Sequence, residues 1–121
     1  MAIDLKPDFA VAYYNRGLVL HELGSLDLSL KNYDRAIDLR PDYAEAYYNR
    51  GNVLHELKEL CAAIKSYNKA IDLKPDYGKA YHNREIVLKE LKELDAKLQM
   101  YDRPIPVKPN CEILYAPIRS A

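Results

Sequence analysis

Two His-Glu pairs, His21-Glu22 and His55-Glu56, are the residues of this 121-residue chain whose types and spacing come nearest to known chemistry. A zinc-binding helix of the His-Glu-x-x-His type places two imidazoles on one face beside a glutamate base. No second histidine follows four residues after His21 or His55, so the motif is incomplete. The sequence also lacks a glycine-rich phosphate loop and a recognisable Ser/His/Asp order. We therefore expect no enzyme activity, no cofactor and no metal site.

Charge and composition exclude several kinds of partner. Lys and Arg number 18, and Asp and Glu number 18, so a net charge of zero gives no support for binding nucleic acid or a membrane surface. The apolar share of 49% indicates a globular domain, and neither a membrane helix nor a signal peptide is recognisable. Two cysteines form no disulfide framework, so we expect Cys61 and Cys111 to be inert thiols in a reducing, cytoplasmic location.

Prolines recur at a fixed spacing, which indicates an internal repeat. The spacing is 34 residues in the series Pro7, Pro41, Pro75 and Pro109. Aligned at this period, the first two units agree at 22 of 34 positions. The sequence then divides into the end of a truncated preceding repeat at 1–9, repeat units at 10–43, 44–77 and 78–111, and a tail at 112–121.

Each unit is predicted to form two helices joined by a turn, because small and apolar residues recur at three- and four-residue steps. Asp42 and Glu45 have the spacing of a capping box at the start of a first helix. The turn contains Gly24 in the first unit, a residue suited to a left-handed C-cap. Lys58 and Lys92 replace it in the next two units, at a cost of about 1 kcal/mol each if that conformation is kept.

The second unit resembles the tetratricopeptide repeat (TPR), whose 34-residue pattern fixes aromatic, small and proline positions. The residues that carry the resemblance are Tyr47, Arg50, Gly51, Leu54, Ala63, Tyr67, Ala70 and Pro75, of which only Arg50 departs from the usual leucine. The resemblance covers about residues 2–103. It implies an all-α fold, a right-handed α-α superhelix (TPR solenoid) of about three helix-turn-helix units, which binds a protein or an extended peptide in a concave groove.

The third unit departs from the pattern. Glu85 replaces the packing glycine, Lys97 replaces a packing alanine, and Pro104 replaces the last alanine. Because a proline inside a helix costs about 3 kcal/mol or more, we expect the last helix to end near Asp102 and an irregular C-terminal tail to follow. The incomplete units at both ends predict self-association, through the uncapped ends or by tail exchange.

In the TPR family the first helices line the groove through positions 2, 5, 6, 9, 12 and 13 of each unit. The resemblance therefore implies a peptide-binding groove at Tyr14, Asn15, Leu18, His21, Tyr48, Asn49, Asn52, His55, His82, Asn83 and Ile86. Position 6 is asparagine in all three units, although asparagine is a poor helix former. We expect these asparagines to hold the backbone of an extended ligand, and an acidic edge to form beside them from Glu22, Glu56 and Glu90.

Two kinds of TPR groove can be compared with these residues. The carboxylate clamp for chaperone tails needs a lysine where this sequence has Tyr14 and an arginine where it has Asn83, so that groove is disfavoured. The asparagines instead make the repeats similar to the TPR arm of bacterial O-GlcNAc-transferase-like proteins. Three functions stay open: a peptide-binding scaffold, a non-catalytic substrate-recognition fragment of a glycosyltransferase, and a structural self-assembling repeat module.

Overall fold

The computed structural model describes residues 5–100, and this part of the chain is an all-α array of five helices. Each helix packs on the next along the chain, and the first helices of successive units also touch one another. The helices are α1 (Leu5–Glu22), α2 (Leu26–Leu39), α3 (Ala44–Glu56), α4 (Leu60–Leu73) and α5 (Gly78–Met100). The predicted end of the last helix near Asp102 and the predicted irregular tail lie outside the described residues.

The turns inside the first two units have the predicted left-handed C-cap. Gly24 has a φ of 83° and Lys58, its counterpart one unit later, has a φ of 65°. In both turns the next backbone N–H reaches back to the helix, Ser25 to the carbonyl of Leu20 and Glu59 to that of Leu54. These bonds satisfy carbonyls that the helix end leaves open, which offsets the cost of about 1 kcal/mol for a side chain in this conformation.

The capping box predicted from Asp42 and Glu45 is not formed. Tyr43 is the N-cap residue of α3, and no side chain caps the helix. The carbonyl of Tyr43 instead accepts the backbone N–H groups of Ala46 and Tyr47. The tight turn after α2 places the tyrosine ring in the core, where it is 6% exposed, so burial of the ring decides where α3 starts.

Close packing inside each unit depends on a glycine that faces a tyrosine. A Cβ atom on Gly17 would lie 2.6 Å from the Tyr33 ring, and one on Gly51 would lie 2.7 Å from the Tyr67 ring. Both rings are fully buried. The hydroxyl of Ser29 also donates to the carbonyl of Gly17 at 2.8 Å. The two helices of a unit therefore approach so closely that position 8 has no room for a side chain.

The third unit does not turn where the first two do. Helix α5 runs unbroken through Lys92 to Met100, although the five residues Glu90–Leu94 repeat the five residues Glu56–Leu60 that form the turn in the second unit. Glu85 stands at the position where units one and two need glycine, so a second helix cannot close against α5 in the same way. The helix continues because the close glycine–tyrosine packing that stabilises the turn in the first two units is missing here.

At the start of the chain, too, a helix runs through a segment whose counterpart in the next unit forms a turn. Helix α1 begins at Leu5, five residues before the unit boundary predicted at Ala10. The corresponding segment at the next unit boundary, Leu39–Tyr43, ends one helix and turns into the following one. Pro7 falls in the first turn of α1, where its missing N–H breaks no helical hydrogen bond.

Two expectations from composition can be compared with the structure. Among residues 5–100 no helix is long and apolar enough to span a membrane. Cys61, at the start of α4, is disulfide-bonded, so the interpretation of this residue as an inert thiol is wrong. Cys111 lies outside the described residues, and the cytoplasmic location stays a prediction.

Two buried tyrosines at equivalent positions should respond differently to loss of the hydroxyl. The Tyr67 hydroxyl donates to Asn52 at 2.6 Å, whereas the buried Tyr33 hydroxyl has no hydrogen-bond partner among the described residues. Ser29, whose own hydroxyl donates to Gly17, lies near the Tyr33 hydroxyl, but the two do not meet hydrogen-bond geometry. Tyr67→Phe should lower the free energy of unfolding by about 1 kcal/mol, and Tyr33→Phe should leave it unchanged or raise it slightly. Urea titrations compare the two, and an equal loss in both variants would contradict the assignment of the partners.

Candidate functional site

The predicted groove residues lie along α1, α3 and α5, on what we call the first-helix face. Three of them are exposed, namely Asn15, His82 and Ile86, and the other eight are half-buried. The structure brings several of them together across unit boundaries in pairs that are 35 residues apart. We call each such pair a rung.

Tyrosine and asparagine form the first kind of rung. Asn49 donates from Nδ2 to the Tyr14 hydroxyl at 2.8 Å, and Asn83 donates in the same way to Tyr48 at 3.0 Å. In each rung position 5 of one unit accepts from position 6 of the next. The second amide hydrogen is also used, by the Glu45 carbonyl for Asn49 at 3.0 Å and by a neighbouring side chain for Asn83 at 2.9 Å.

Histidine and glutamate form the second kind of rung, from position 12 of one unit to position 13 of the next. His21 lies 2.6 Å from Glu56, and His55 lies 2.9 Å from Glu90. Lys58 adds a further contact to Glu90 at 2.9 Å. Hydrogen bonds from His55 and then from Lys58 lower the pKa of Glu90. The predicted acidic edge is therefore neutralised in part, since two of its three carboxylates already have cationic or imidazole partners.

Asn52 connects the rungs to the core of the second unit. Its Oδ1 accepts from the hydroxyl of Tyr67 at 2.6 Å and from Nδ2 of Asn83 at 2.9 Å. The resemblance to TPR proteins placed Asn52 among the residues that line the peptide-binding groove. Its oxygen is instead committed to two donors from the chain itself.

The rungs rest on stacked tyrosine rings. The Tyr14 ring centroid lies 4.9 Å from that of Tyr43, and the Tyr48 centroid lies 5.1 Å from that of Tyr77. Burial raises the pKa of Tyr14, of Tyr43 and of Tyr77. These hydroxyls therefore stay protonated further into the alkaline range than that of an exposed tyrosine. The Tyr14 hydroxyl accepts from the Asn49 amide and holds it in a fixed orientation.

Helix α5, the first helix of the third unit, has an open cleft on the side where a further unit would pack. The cleft on α5 has a volume of about 350 Å³ and is lined by His82, Glu85, Ile86, Leu88, Lys89 and Lys92. Ile86 is 44% exposed. The cleft therefore combines apolar area with three basic or imidazole side chains and one carboxylate.

The chemistry available on this surface is hydrogen bonding and apolar contact. Among the described residues no three His, Cys, Asp or Glu side chains group closely enough to hold a metal ion. His21 and His55 are each paired to one glutamate of the next unit, an arrangement that the sequence analysis missed. The signal for it was present, because positions 12 and 13 carry His and Glu in the first two units and Glu again at position 13 of the third.

Comparison with known proteins identifies the repeats. The family described as TPR repeat matches residues 18–58, and the tetratricopeptide repeat family matches residues 44–77. No curated protein is significantly similar to the sequence. Residues 18–77 therefore match tetratricopeptide repeats, and the described helices have the all-α fold of a TPR solenoid.

Solved structures with the same fold include proteins with a bound peptide. A crystal structure of MamA is 29% identical with a TM-score of 0.68, covering 77% of this chain and 54% of MamA. The first TPR of Spaghetti (RPAP3), bound to the HSP90 peptide SRMEEVD, is 25% identical with a TM-score of 0.69 and coverages of 85% and 82%. The second TPR of the same protein, with the same peptide, is 22% identical with a TM-score of 0.72 and coverages of 84% and 94%. The chain spans about half the length of the MamA structures that it matches.

Proposed function

We propose that this chain is a protein-binding TPR module that holds the backbone of an extended peptide on its first-helix face, and that it acts by binding and not by catalysis. One observation carries the proposal. Asparagine stands at position 6 of three successive first helices, and two of the three are fixed by a tyrosine of the preceding unit. The peptide complexes of the RPAP3 TPR domains support this kind of function.

The rungs decide which half of each amide is available to a ligand. Both Nδ2 hydrogens of Asn49 and of Asn83 are bonded within the chain, but the Oδ1 atoms of these residues have no partner among the described residues. An asparagine oxygen can accept from a peptide N–H. We therefore expect the ligand to donate its backbone N–H groups to this row, while Asn15 offers both donors and acceptor.

Specificity should come from the side chains beside the row. Leu18 is half-buried and Ile86 is exposed, so both favour apolar residues of a ligand. Because Glu56 and Glu90 are paired with histidines, the preference for a basic ligand residue should be weaker than three free carboxylates would give. The acidic peptide SRMEEVD should bind poorly, since Tyr14 stands where a clamp lysine is needed.

A binding experiment can test the row of acceptors. We expect an unbiased display library of extended peptides to yield ligands with micromolar affinity, because neutral hydrogen bonds contribute only about 0.5–1.5 kcal/mol each. The triple variant Asn15→Ala, Asn49→Ala, Asn83→Ala should bind the selected peptides about tenfold or more weakly. Its thermal stability should change little, since two lost rungs are offset by the better helix propensity of alanine.

The matched control is the double variant Tyr14→Phe, Tyr48→Phe. It breaks the same two rungs and frees both amides to turn, but it leaves all three asparagine oxygens in place, so it should lose clearly less affinity than the triple variant. If the triple variant binds unchanged, the ligand lies elsewhere. If the double variant loses as much affinity as the triple variant, the tyrosines and not the asparagines make the contact.

The alternative of a substrate-recognition fragment rests on the sequence alone. The likeness to the TPR arm of O-GlcNAc-transferase-like proteins concerns the position-6 asparagines, which any peptide-binding array could use. A transferase domain encoded next to this segment would favour that alternative.

A further inference from the structure

We propose that two copies of this chain associate head to tail, with the α5 end of one copy seated on the α1 end of the next, so that the rungs continue across the boundary. The surfaces involved are the two ends of the first-helix face. This association does not depend on peptide binding, and its occupant is a second copy of this chain.

The α1 end has two open half-rungs. Positions 6 and 13 of the first unit are Asn15 and Glu22, and both are exposed. Their counterparts Asn49 and Glu56 are bonded to Tyr14 and His21 of the preceding unit. The side chains of Asn15 and Glu22 make no hydrogen bond or ion pair with another described residue.

The α5 end has the two complementary half-rungs. Positions 5 and 12 of the third unit are His82 and Lys89, both exposed and both lining the cleft on α5. They follow Tyr14 and Tyr48 at position 5, and His21 and His55 at position 12. Among the described residues, no hydrogen bond or ion pair involves either of these two side chains.

The open groups at the two ends match in chemistry. An imidazole nitrogen of His82 can accept from the amide of Asn15 of a second copy, as the tyrosine hydroxyls do inside the chain. The Lys89 ammonium can pair with Glu22 of that copy, and the contact of Lys58 with Glu90 shows that lysine fits a glutamate at position 13. The third rung would thus repeat the two that the structure contains.

The α1 end also carries side chains of the type that the array buries. Val19 is 54% exposed, whereas Val53 and Val87 at the same position of the next two units are fully buried. Leu23 is 72% exposed, whereas its counterparts are half-buried at Leu57 and 2% exposed at Leu91. A second copy that covers this end removes apolar surface from water in addition to closing the two rungs.

The geometry predicts open-ended assembly. The two contacting surfaces differ, so the contact is heterologous and each added copy presents a new free end. Sedimentation velocity at high micromolar concentration should therefore show species larger than the 14.0 kDa monomer, growing with protein concentration and decreasing with added salt, because an exposed Lys–Glu pair is screened.

Charge reversal gives the decisive experiment. Lys89→Glu alone and Glu22→Lys alone each place like charges at the contact, so each should raise the dissociation constant at least tenfold. A mixture of the two variants should recover assembly. At one kind of junction the introduced glutamate of the first variant faces the introduced lysine of the second, and at the other kind the two unchanged residues face each other. The matched control is Lys65→Glu on α4, an exposed lysine that belongs neither to the first-helix face nor to the lining of the cleft on α5, which should assemble as the parent does.

Circular dichroism must show equal helix content in all variants, so that a change in assembly is not a change in folding. A monomeric parent would overturn the proposal. So would single reversals that assemble like the parent, which would indicate tail exchange or another surface. Single variants that are monomeric but stay monomeric when mixed would also overturn it, because the loss would not follow from the contact between Lys89 and Glu22.

Discussion

Replacing Gly51 with glutamate should destabilise the chain by more than about 3 kcal/mol and open the α3–α4 hairpin. Even a Cβ atom at this position would lie 2.7 Å from the ring of Tyr67, which is fully buried. Overpacking by single methylene groups already costs about 1–3 kcal/mol, and here a longer side chain with a charge must enter the same space. The variant reproduces in the second unit the glutamate that the third unit has at Glu85.

Gly78→Glu is the matched control, because it makes the same chemical change at the start of α5. A Cβ at Gly78 meets no atom within 4 Å, and an acidic residue in the first turn of a helix is favourable. Urea unfolding followed by circular dichroism should therefore separate the two variants widely. If both unfold at the urea concentration of the parent, close approach of α3 and α4 is not what makes glycine necessary.

The chain should also unfold cooperatively in alkali. Burial raises the pKa of Tyr33 from 10.0 to about 12, and it also raises the pKa of Tyr67 and Tyr77. In the unfolded chain these tyrosines would ionise near pH 10. Between pH 10 and 12 the folded state therefore binds more protons than the unfolded state, and the free energy of unfolding falls as the pH rises. For Tyr33 alone the loss is about 2 kcal/mol at pH 12.

Parallel pH titrations can check this expectation. Absorbance of tyrosinate and helical circular dichroism should change together above pH 10, and stability should be constant with respect to these groups below pH 10. Tyr33→Phe should move the transition to higher pH, while Tyr81→Phe, a change on a ring that is 40% exposed, should not. Independent tyrosine ionisation with helix content retained to pH 12 would contradict the assignment.

Periodicity was sufficient to predict the helices of the first two units and the turns that join them. It was not sufficient to predict the third unit, because the turn sequence Glu-Leu-Lys-Glu-Leu is present there and yet α5 continues through it. The information that decides between turn and helix lies in the residues that would pack, above all Glu85. The local sequence pattern is compatible with both a turn and a helix, and tertiary contacts determine which of the two forms.

The candidate site shows a similar division. The asparagine row and the histidines could be placed on one face from the repeat alone. Their partners could not, because the rungs join positions of different units, as Asn49 does with Tyr14. A helix wheel drawn for one unit contains no information about such pairs, and the bond of Tyr67 to Asn52 depends on how deeply the ring enters the unit.

The unbroken α5 has a consequence for how such an array can change in length. Because the five turn residues already exist at Glu90–Leu94, another hairpin needs no new turn. It needs small residues at the packing positions now held by Glu85 and Lys97, and a residue other than proline at 104. An array of this kind can therefore gain or lose a hairpin through a few substitutions far from its turns, while the segment that bends stays the same.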